Sequence, residues 1–296
     1  MTRKMKVGMV GLGRMGGNMA TRLRAGGHEV VGYDPSSADA DVDSLEALTE
    51  ALAGERARVV WVMVPAGDPT EDTIAALADL LAPGDLVIDG GNANWTDSVR
   101  RGERLAERQI GFVDAGVSGG VWGRENGYAL MVGGGDEQVA LAQPLFDVLK
   151  PADGGFAHVG GVGSGHFTKM VHNGIEYGLM QAYAEGYAIL AKSGLGIDAQ
   201  AAVESWRHGS VVRSWLLDLL CKAVADADFA HIRAVAADSG EGRWTVNEAV
   251  RLGVAAPVIS AALFARFTSQ DDDGVTMRVI AALRQQFGGH AVEMFE

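Results

Sequence analysis

The sequence predicts an α/β amino-terminal domain with a Rossmann-like doubly wound sheet, followed by an all-α carboxy-terminal domain. Two observations lead to this fold class. In the first half, short runs rich in β-branched residues alternate with amphipathic stretches, which is typical of βαβ units. Beyond about residue 163 only helical periodicity remains, so we place the domain boundary between residues 1–163 and 164–296.

The first half contains six predicted strands, and amphipathic segments separate them. The apolar runs cover residues 6–11, 29–34, 58–65, 85–91, 111–116 and 129–134. The segments with helical spacing cover residues 14–26, 43–53, 69–81, 96–108 and 136–149. Because strands joined by helices run in one direction, we expect a parallel sheet.

The second half consists of predicted helices. Their spacing indicates helices over residues 165–193, 198–208, 213–225, 243–252, 257–268 and 274–286. The acidic triplet 271–273 interrupts this pattern and is typical of a solvated loop.

Composition excludes several classes of function. The net charge of −13, from 38 acidic and 25 basic residues, disfavours a nucleic-acid or anionic-membrane surface. The chain has no apolar run of the roughly 18 residues that span a bilayer, and no apolar run precedes the first glycine-rich turn, so we expect neither a membrane span nor a signal peptide. With Cys221 as the single cysteine, we expect a cytoplasmic protein without a disulfide framework.

A glycine-rich turn follows the first predicted strand. Gly11, Gly13 and Gly16 form the pattern Gly-x-Gly-x-x-Gly between that strand and a helix. Glycines there allow a tight turn, close approach of the backbone to a pyrophosphate and close helix–strand packing, while the helix start offers free N–H groups. This context predicts a dinucleotide site, although an ordinary glycine turn is the alternative.

An acidic residue ends the second strand. Asp34 lies 23 residues after Gly11, where a carboxylate accepts hydrogen bonds from the ribose hydroxyls of NAD and repels the 2′-phosphate of NADP. We therefore expect NAD rather than NADP, unless Asp34 merely caps the turn. The predicted cofactor site comprises Gly11, Leu12, Gly13, Arg14, Met15, Gly16, Asp34, Val64, Pro65 and Asn92.

One predicted helix carries a dense stripe of polar groups. At about 100° per residue, the stripe falls within an arc of roughly 140°. Met170, Val171, Ile175 and Leu179 occupy the rest of this helix, so we expect most of it to be buried. Buried polar groups need hydrogen-bond partners. We therefore expect the stripe to line a polar cavity; the alternative is an internal ion pair between Lys169 and Glu176. The stripe consists of Lys169, His172, Asn173, Glu176 and Tyr177.

Two glycine-rich loops follow strands of the first domain. Residues 89–95 expose Asn92, and residues 116–127 expose Ser118 beside Gly119 and Gly120. Ligands of open α/β sheets bind beyond the carboxyl ends of the strands. We therefore expect both loops to face the polar stripe.

Together these motifs resemble the decarboxylating 6-phosphogluconate dehydrogenases, within the β-hydroxyacid dehydrogenase superfamily. After the glycine turn, the segments IDGGNANW, GVSGGVWG, GHFTKMVHNGIEYG and FGGHAVE occur in the family's order. The segment KMVHNGIEY is the most specific of them. The resemblance covers nearly the whole chain and is closest to a short form of the family.

The resemblance implies oxidative decarboxylation of 6-phosphogluconate with reduction of NAD and without a metal. Lys169 resembles the general base and Glu176 the acid that protonates the enediol. The resemblance also implies a homo-oligomer, a dimer or tetramer, in which the carboxy-terminal tail reaches a neighbouring active site. The implied substrate ligands are Asn92, Ser118, Gly119, Gly120, His172, Asn173, Tyr177, Arg266, Arg284 and His290.

One departure from the family concerns the phosphate site. Where longer members carry a Lys and a Thr in a KGTGKW run, this chain has Ser239 and Glu241 in SGEGRW. A lost cation and a gained carboxylate weaken a dianion site unless Glu241 points away or Arg243 compensates. The alternatives are a non-decarboxylating dehydrogenase of a smaller acid such as 3-hydroxyisobutyrate, and a non-catalytic NAD-binding subunit.

Overall fold

The computed structural model describes residues 3–272, 274–288 and 291. Its contacts divide the chain into two compact units, Met1–His172 and Asn173–Glu296. This division lies inside a long helix, later in the chain than the boundary expected at residue 163. The first turns of that helix belong with the first unit because they are bonded to its sheet, as described below.

The first unit alternates strands and helices as predicted. Its elements are β1 (Lys6–Val10), α1 (Arg14–Ala25), β2 (Glu29–Tyr33), α2 (Leu45–Ala51), β3 (Val59–Val62), α3 (Asp68–Leu80), β4 (Leu86–Asp89), α4 (Trp95–Ala106), β5 (Gly111–Ser118), α5 (Gly123–Asn126), β6 (Ala129–Gly134), α6 (Asp136–Leu149), β7 (Phe156–Gly160) and the start of α7 (Ser164–Lys192). A short 3₁₀ turn over Gly120–Trp122 precedes α5.

The seven strands form one sheet in the order β2-β1-β3-β4-β5-β6-β7. The five strands β1 to β5 pair in parallel, and the order reverses between β1 and β3, which creates a crevice at their carboxyl ends. The structure adds two features that the strand–helix pattern did not indicate. Strand β6 pairs antiparallel with β5, because the short connection between them holds only a 3₁₀ turn and the four-residue α5 and is too short for a parallel crossover. Strand β7 pairs in parallel with β6 at the edge of the sheet.

Helices cover both faces of the sheet and bury two apolar clusters. Met19, Leu23 and Phe146 belong to the cluster on one face, and Leu48 and Leu77 to the cluster on the other; all five are fully buried. A fully buried Leu or Phe side chain contributes about 1.5–3 kcal/mol to folding. Burial on both faces explains why the strands appear as continuous apolar runs.

The second unit is helical throughout its described part. It contains the rest of α7, then α8 (Ala199–Ser205), α9 (Trp215–Val224), α10 (Glu241–Leu252), α11 (Pro257–Ser269) and α12 (Val275–Gly288). Side chains cap two of these helices: Asp198 accepts a hydrogen bond from Ala201 N, and Ser214 accepts one from Leu217 N. These caps explain why α8 and α9 begin where the apolar periodicity begins.

One face of α7 differs from the expectation of burial. Ile175 and Leu179 are 52% and 44% exposed, although Met170 is buried. In the second unit, Tyr177 and Met180 take the inward positions and pack with Leu263. The apolar residues on the opposite side therefore stay at the surface of the chain, and the prediction that they are buried was wrong.

Candidate functional site

The residues predicted to bind the cofactor lie where the strands of the first unit end. The turn Gly11–Gly16 follows β1, Asp34 follows β2, Val64 and Pro65 follow β3, and Asn92 follows β4. Ser118 is the last residue of β5. In a parallel sheet the carboxyl ends share one edge, so the fold gathers these positions along it.

The glycines of the first turn provide room for a phosphate. A Cβ on Gly16 would lie 1.9 Å from the carbonyl oxygen of Gly11, so this position needs glycine for helix–strand packing. A Cβ on Gly13 would meet no atom within 4 Å, so the space in front of α1 is open. No side chain caps the start of α1. Its amides are therefore suited to an anion, and the turn fits the pyrophosphate of a dinucleotide.

Asp34 is fixed by two backbone amides. Its Oδ2 accepts a hydrogen bond from Leu12 N at 2.8 Å, and its Oδ1 accepts one from Ser36 N at 2.8 Å. Each carboxylate oxygen keeps a second lone pair for a ribose hydroxyl. Beside Asp34 lies a cavity of about 620 Å³, lined by Asp34, Pro35, Ser37, Ala40, Asp41, Val42, Asp43 and Ala47.

Three side chains of the predicted substrate site form a line in the first unit. Ser118 Oγ lies 3.5 Å from His172 Nε2, and His172 Nδ1 lies 3.4 Å from Lys169 Nζ. These are long hydrogen bonds, as is common for catalytic groups without substrate. The imidazole thus connects the amine to the hydroxyl, and the three groups offer both donors and acceptors to one ligand.

Gly116, which sequence reasoning did not single out, fixes the position of Lys169. A Cβ on Gly116 would lie 2.4 Å from Lys169 Cβ and 3.0 Å from the carbonyl oxygen of Gly165. The lysine side chain therefore starts directly against strand β5. The sequence signal that could have identified Gly116 is its place directly before the VSGG segment, at the end of a predicted strand.

A buried ion pair supports the loop that carries Asn92. The Asp89 carboxylate accepts hydrogen bonds from Gly91 N at 3.1 Å and from Arg101 Nη1 at 3.2 Å, and both charged residues are buried. Arg101 also donates to Glu71 at 3.0 Å. Burial opposes ionisation of Glu71, but hydrogen bonds from Arg100 and Arg101 lower the pKa of this carboxyl below its ordinary value. Sequence reasoning missed this network, since its members are distant in the chain.

In the second unit, Tyr177 and Arg266 form the core of a cluster. The Arg266 guanidinium carbon lies 3.4 Å from the centre of the Tyr177 ring, and Arg266 Nη1 donates to the carbonyl oxygen of Ala237 at 3.0 Å. The Tyr177 hydroxyl accepts a hydrogen bond from Ser239 N at 3.3 Å. Residues predicted to bind the phosphate are thus brought together by contacts among α7, α11 and the segment before α10.

The structure shows the surroundings of the two charged residues in the SGEGRW segment, Arg243 and Glu241. Arg243 binds the Asp238 carboxylate at 2.7 Å and lies over the Phe267 ring at 4.8 Å, so its charge is already neutralised. Glu241 occupies the first turn of α10 and is 4% exposed. Arg266 is therefore the cation of this cluster without a carboxylate partner among the described residues.

The remaining predicted residues are distributed along the second unit. Asn173, Glu176 and Tyr177 continue α7, and Asn173 is buried. Arg284 is exposed on α12, and His290 lies outside the described residues. In the described ranges, no three His, Cys, Asp or Glu side chains are grouped as a metal site requires, and no helix is both long and apolar enough to cross a bilayer.

Comparison with known families agrees with this architecture. Residues 6–152 match the NAD binding domain of 6-phosphogluconate dehydrogenase, and residues 165–291 match the 6-phosphogluconate dehydrogenase C-terminal domain. The chain belongs to the 6-phosphogluconate dehydrogenase family. The NAD(+)-dependent, decarboxylating 6-phosphogluconate dehydrogenase of Haloferax volcanii is 40% identical over 97% of this chain and 98% of its own. The decarboxylating enzyme of Lactococcus lactis strain IL1403 is 35% identical over 98% of this chain and 67% of its own.

Solved structures show the same fold. The 6-phosphogluconate dehydrogenase of Plasmodium falciparum superimposes with a TM-score of 0.83 at 26% identity, over 98% of this chain and 66% of that one. The 3-hydroxyisobutyrate dehydrogenase of Mycobacterium tuberculosis has a TM-score of 0.72 at 24% identity, over 91% of this chain and 95% of that one. The second likeness supports only a shared fold. The chain spans nearly the whole length of the Haloferax relative and about two thirds of the Lactococcus and Plasmodium proteins.

Proposed function

We propose that this protein catalyses the oxidative decarboxylation of 6-phosphogluconate to ribulose 5-phosphate and CO₂, with reduction of NAD. The observation that carries the proposal is the line of Ser118, His172 and Lys169 in the unit that also holds the dinucleotide turn. An amine, an imidazole and a hydroxyl in this arrangement suit an acid that is oxidised at a hydroxyl carbon. The name of the Haloferax relative supports the same activity.

Lys169 is the proposed base of the oxidation step. When bound, NAD supplies the acceptor for the hydride that leaves C3. The neutral amine of Lys169 takes the proton of the C3 hydroxyl, so that the carbon–oxygen double bond can form. His172 lies 3.4 Å from this amine and orients it through the hydrogen bond.

The same amine assists the loss of CO₂. Once C3 is a ketone, the C1–C2 bond breaks and its electron pair moves toward the ketone oxygen. Protonated Lys169 stabilises the negative charge that develops on this oxygen. Glu176, seven residues further on α7, then donates a proton to the terminal carbon of the enediol, which becomes C1 of the product. In this proposal Lys169 is the base and Glu176 is the acid, so two different groups carry the two proton transfers.

The remaining side chains bind the sugar acid. We assign the carboxylate end to Ser118 with the backbone of Gly119 and Gly120, and the sugar hydroxyls to Asn92, His172 and Asn173. Tyr177 and Arg266 are the proposed phosphate ligands, since the ring holds the guanidinium in place. Arg284 and His290 complete the phosphate site from a neighbouring subunit in this proposal.

The charges around Asp34 support NAD over NADP. Asp34, Asp41 and Asp43 line the cavity at the end of β2, so a 2′-phosphate there would face the carboxylates of Asp34 and Asp43 beside the ion-paired Asp41. The nearby Arg24 is bound to Asp41 at 2.6 Å, which neutralises its charge. We expect kcat/KM to be higher with NAD than with NADP; a ratio favouring NADP would overturn the assignment.

Two alanine substitutions test the catalytic assignments. We expect Lys169→Ala to abolish NADH formation from 6-phosphogluconate while leaving NAD binding intact, and Glu176→Ala to reduce turnover strongly. Matched controls on the same helix are Lys192→Ala and Glu185→Ala, which alter exposed residues. Full activity of Glu176→Ala would remove the acid from the mechanism and favour a simple hydroxyacid dehydrogenase.

The second candidate is a dehydrogenase of a smaller, unphosphorylated acid. The observation that favours it is the buried Glu241, together with Ser239 at the position of a family lysine. Initial rates with 6-phosphogluconate, gluconate and 3-hydroxyisobutyrate separate the two functions. The leading proposal requires the highest kcat/KM with the phosphorylated acid, and a preference for 3-hydroxyisobutyrate would replace it.

We also propose that the protein works as a homo-oligomer, a dimer or tetramer. Ile175, Leu179 and Ile189 are 52%, 44% and 70% exposed, and their spacing places them on one stripe of α7. Light scattering coupled to gel filtration measures the assembly. Ile189→Glu should shift it toward the monomer, whereas a monomeric unmutated protein would refute the proposal.

A further inference from the structure

A fully buried carboxylate lies beneath the candidate site. Asp114, in strand β5, accepts a hydrogen bond from Gly163 N through Oδ1 and one from His166 N through Oδ2, each at 2.7 Å. The first amides of an α-helix have no acceptor within the helix. Asp114 supplies acceptors at the start of α7, so the sheet itself caps the helix that carries Lys169.

Glycines bring the start of α7 directly onto the sheet. A Cβ on Gly165 would lie 2.4 Å from the carbonyl oxygen of Asp114. A Cβ on Gly133, in β6, would lie 2.7 Å from Gly165 N and 2.6 Å from Asp114 Oδ1. Backbone thus packs on backbone around this carboxylate. A shift of the helix start would be transmitted to Lys169, one turn further on.

A second buried contact joins α7 to α4. His166 is 1% exposed, and its Nδ1 lies 2.7 Å from Ser98 Oγ. Nε2 of His166 is buried and has no hydrogen-bond partner among the described atoms. The tautomer with hydrogen on Nδ1 is therefore favoured, because it donates to Ser98 and leaves only a lone pair without a partner. Ser98 Oγ can in turn donate to the carbonyl oxygen of Asn94, 3.4 Å away.

We propose that Asp114 is a positioning residue for the reaction proposed above: with the His166–Ser98 link, it holds the start of α7 and thereby Lys169 at its working distance from β5. The inference rests on the proposed function for its catalytic meaning. Asp114 does not touch the reacting atoms in this proposal. A misplacement of catalytic groups by about 1 Å can reduce turnover about a hundredfold.

Asp114→Asn tests the proposal at nearly constant shape. The amide keeps one acceptor, while its NH₂ group faces a backbone N–H that needs an acceptor. Asp85→Asn is the control. Asp85 is also buried and accepts hydrogen bonds from two backbone amides, Arg58 N at 2.7 Å and Ala82 N at 2.8 Å, and it forms an ion pair with the Arg58 side chain at 2.6 Å. It precedes β4, at the amino ends of the parallel strands. We expect both substitutions to lower the free energy of unfolding, but only Asp114 lies under Lys169.

Kinetics separate positioning from general destabilisation. We expect Asp114→Asn to lower kcat by about ten- to a hundredfold, with the Kd for NAD changed less than twofold, and Asp85→Asn to keep kcat within twofold. Substrate deuterated at C3 should show a larger isotope effect on kcat with Asp114→Asn, because the chemical step becomes slower. An equal loss in both variants, or an unchanged isotope effect, would overturn the proposal.

A readout independent of turnover completes the test. The chain has six lysines, so the Lys169 signal in protein labelled with ¹³Cε-lysine can be assigned from its loss in Lys169→Arg. Asp114→Asn should shift this signal and Asp85→Asn should not; the absence of a shift refutes the positioning role. If the unmutated protein oxidises no hydroxy acid, the proposed function fails while this measurement still decides the inference. Should Asp114→Asn not fold, Ser98→Ala replaces it, with the same outcomes.

Discussion

Replacing Gly116 with alanine is a direct way to move the proposed base without removing it. Gly116 lies in β5, and a Cβ there would stand 2.4 Å from Lys169 Cβ. Ordinary van der Waals contact begins at 3.4 Å, so restoring it requires the lysine to retreat by 1.0 Å, the difference between the two distances. The carbonyl oxygen of Gly165, one turn earlier on the same helix, would lie 3.0 Å from the new methyl group, so the start of α7 is crowded as well.

The size of the effect follows from this displacement. A shift of about 1 Å in a catalytic group can cost about a hundredfold in rate, which corresponds to about 2.7 kcal/mol of transition-state stabilisation. Inserting a methyl group into a packed region also lowers the free energy of unfolding by about 1–3 kcal/mol. We therefore expect a folded protein with a strongly reduced kcat.

The assay measures kcat with 6-phosphogluconate and the Kd for NAD by fluorescence titration. Gly116→Ala should lose kcat but keep the Kd for NAD within about twofold. Gly161→Ala is the control, because a Cβ on this exposed glycine just before α7 meets no atom within 4 Å. If Gly116→Ala turns over as fast as Gly161→Ala, the contact between β5 and Lys169 does not set the position of the base.

Three further predictions concern the cofactor, the phosphate and stability. Asp34→Ser should lower the NAD:NADP ratio of kcat/KM about tenfold, while Asp39→Ser, outside the cavity, should not; an unchanged ratio would contradict the role of Asp34. Arg266→Lys should raise KM for 6-phosphogluconate about tenfold through loss of the planar fork, whereas Arg243→Lys, whose charge Asp238 already binds, should leave KM nearly unchanged; equal effects would refute the assignment. Burial lowers the pKa of His28 below its ordinary 6.5, so the unfolded chain binds this proton more readily, and stability should fall as pH drops below about 6.5. In denaturant titrations from pH 5 to 8, the free energy of unfolding should vary less with pH in His28→Gln than in the unmutated protein. The same pH dependence in both proteins would contradict the role of His28.

Most helices and the first five strands could be predicted because their signals are local, whereas the four-residue α5 lies in a segment that we interpreted as a loop. Runs of β-branched residues mark β1 to β5, and the predicted helix over 257–268 corresponds to α11, Pro257–Ser269. The direction of β6 could not be predicted, since an apolar run has the same pattern in parallel and antiparallel pairs. Strand β7 escaped notice because four of its five residues are exposed and give no apolar run.

The candidate site was predictable where chemistry is concentrated in short segments. The glycine turn and Asp34 belong to one predicted βαβ unit, and the polar groups of α7 lie within residues 169–177 of one predicted helix, so spacing and resemblance both identify them. Asp114 and its partners were not found, because residues 114, 163 and 166 come together only when β5 and α7 pack. Likewise, the pairing of Arg243 with Asp238 depends on side-chain placement that the SGEGRW segment does not reveal.

The stoichiometry of CO₂ and NADH tests the central proposal most directly. The protein is incubated with NAD and limiting 6-phosphogluconate that carries ¹³C at C1, and labelled CO₂ and NADH are measured from the same reaction. We expect one labelled CO₂ for each NADH, and neither product from Lys169→Ala. NADH without labelled CO₂ would contradict a decarboxylating enzyme, and no NADH at all would contradict oxidation of this acid.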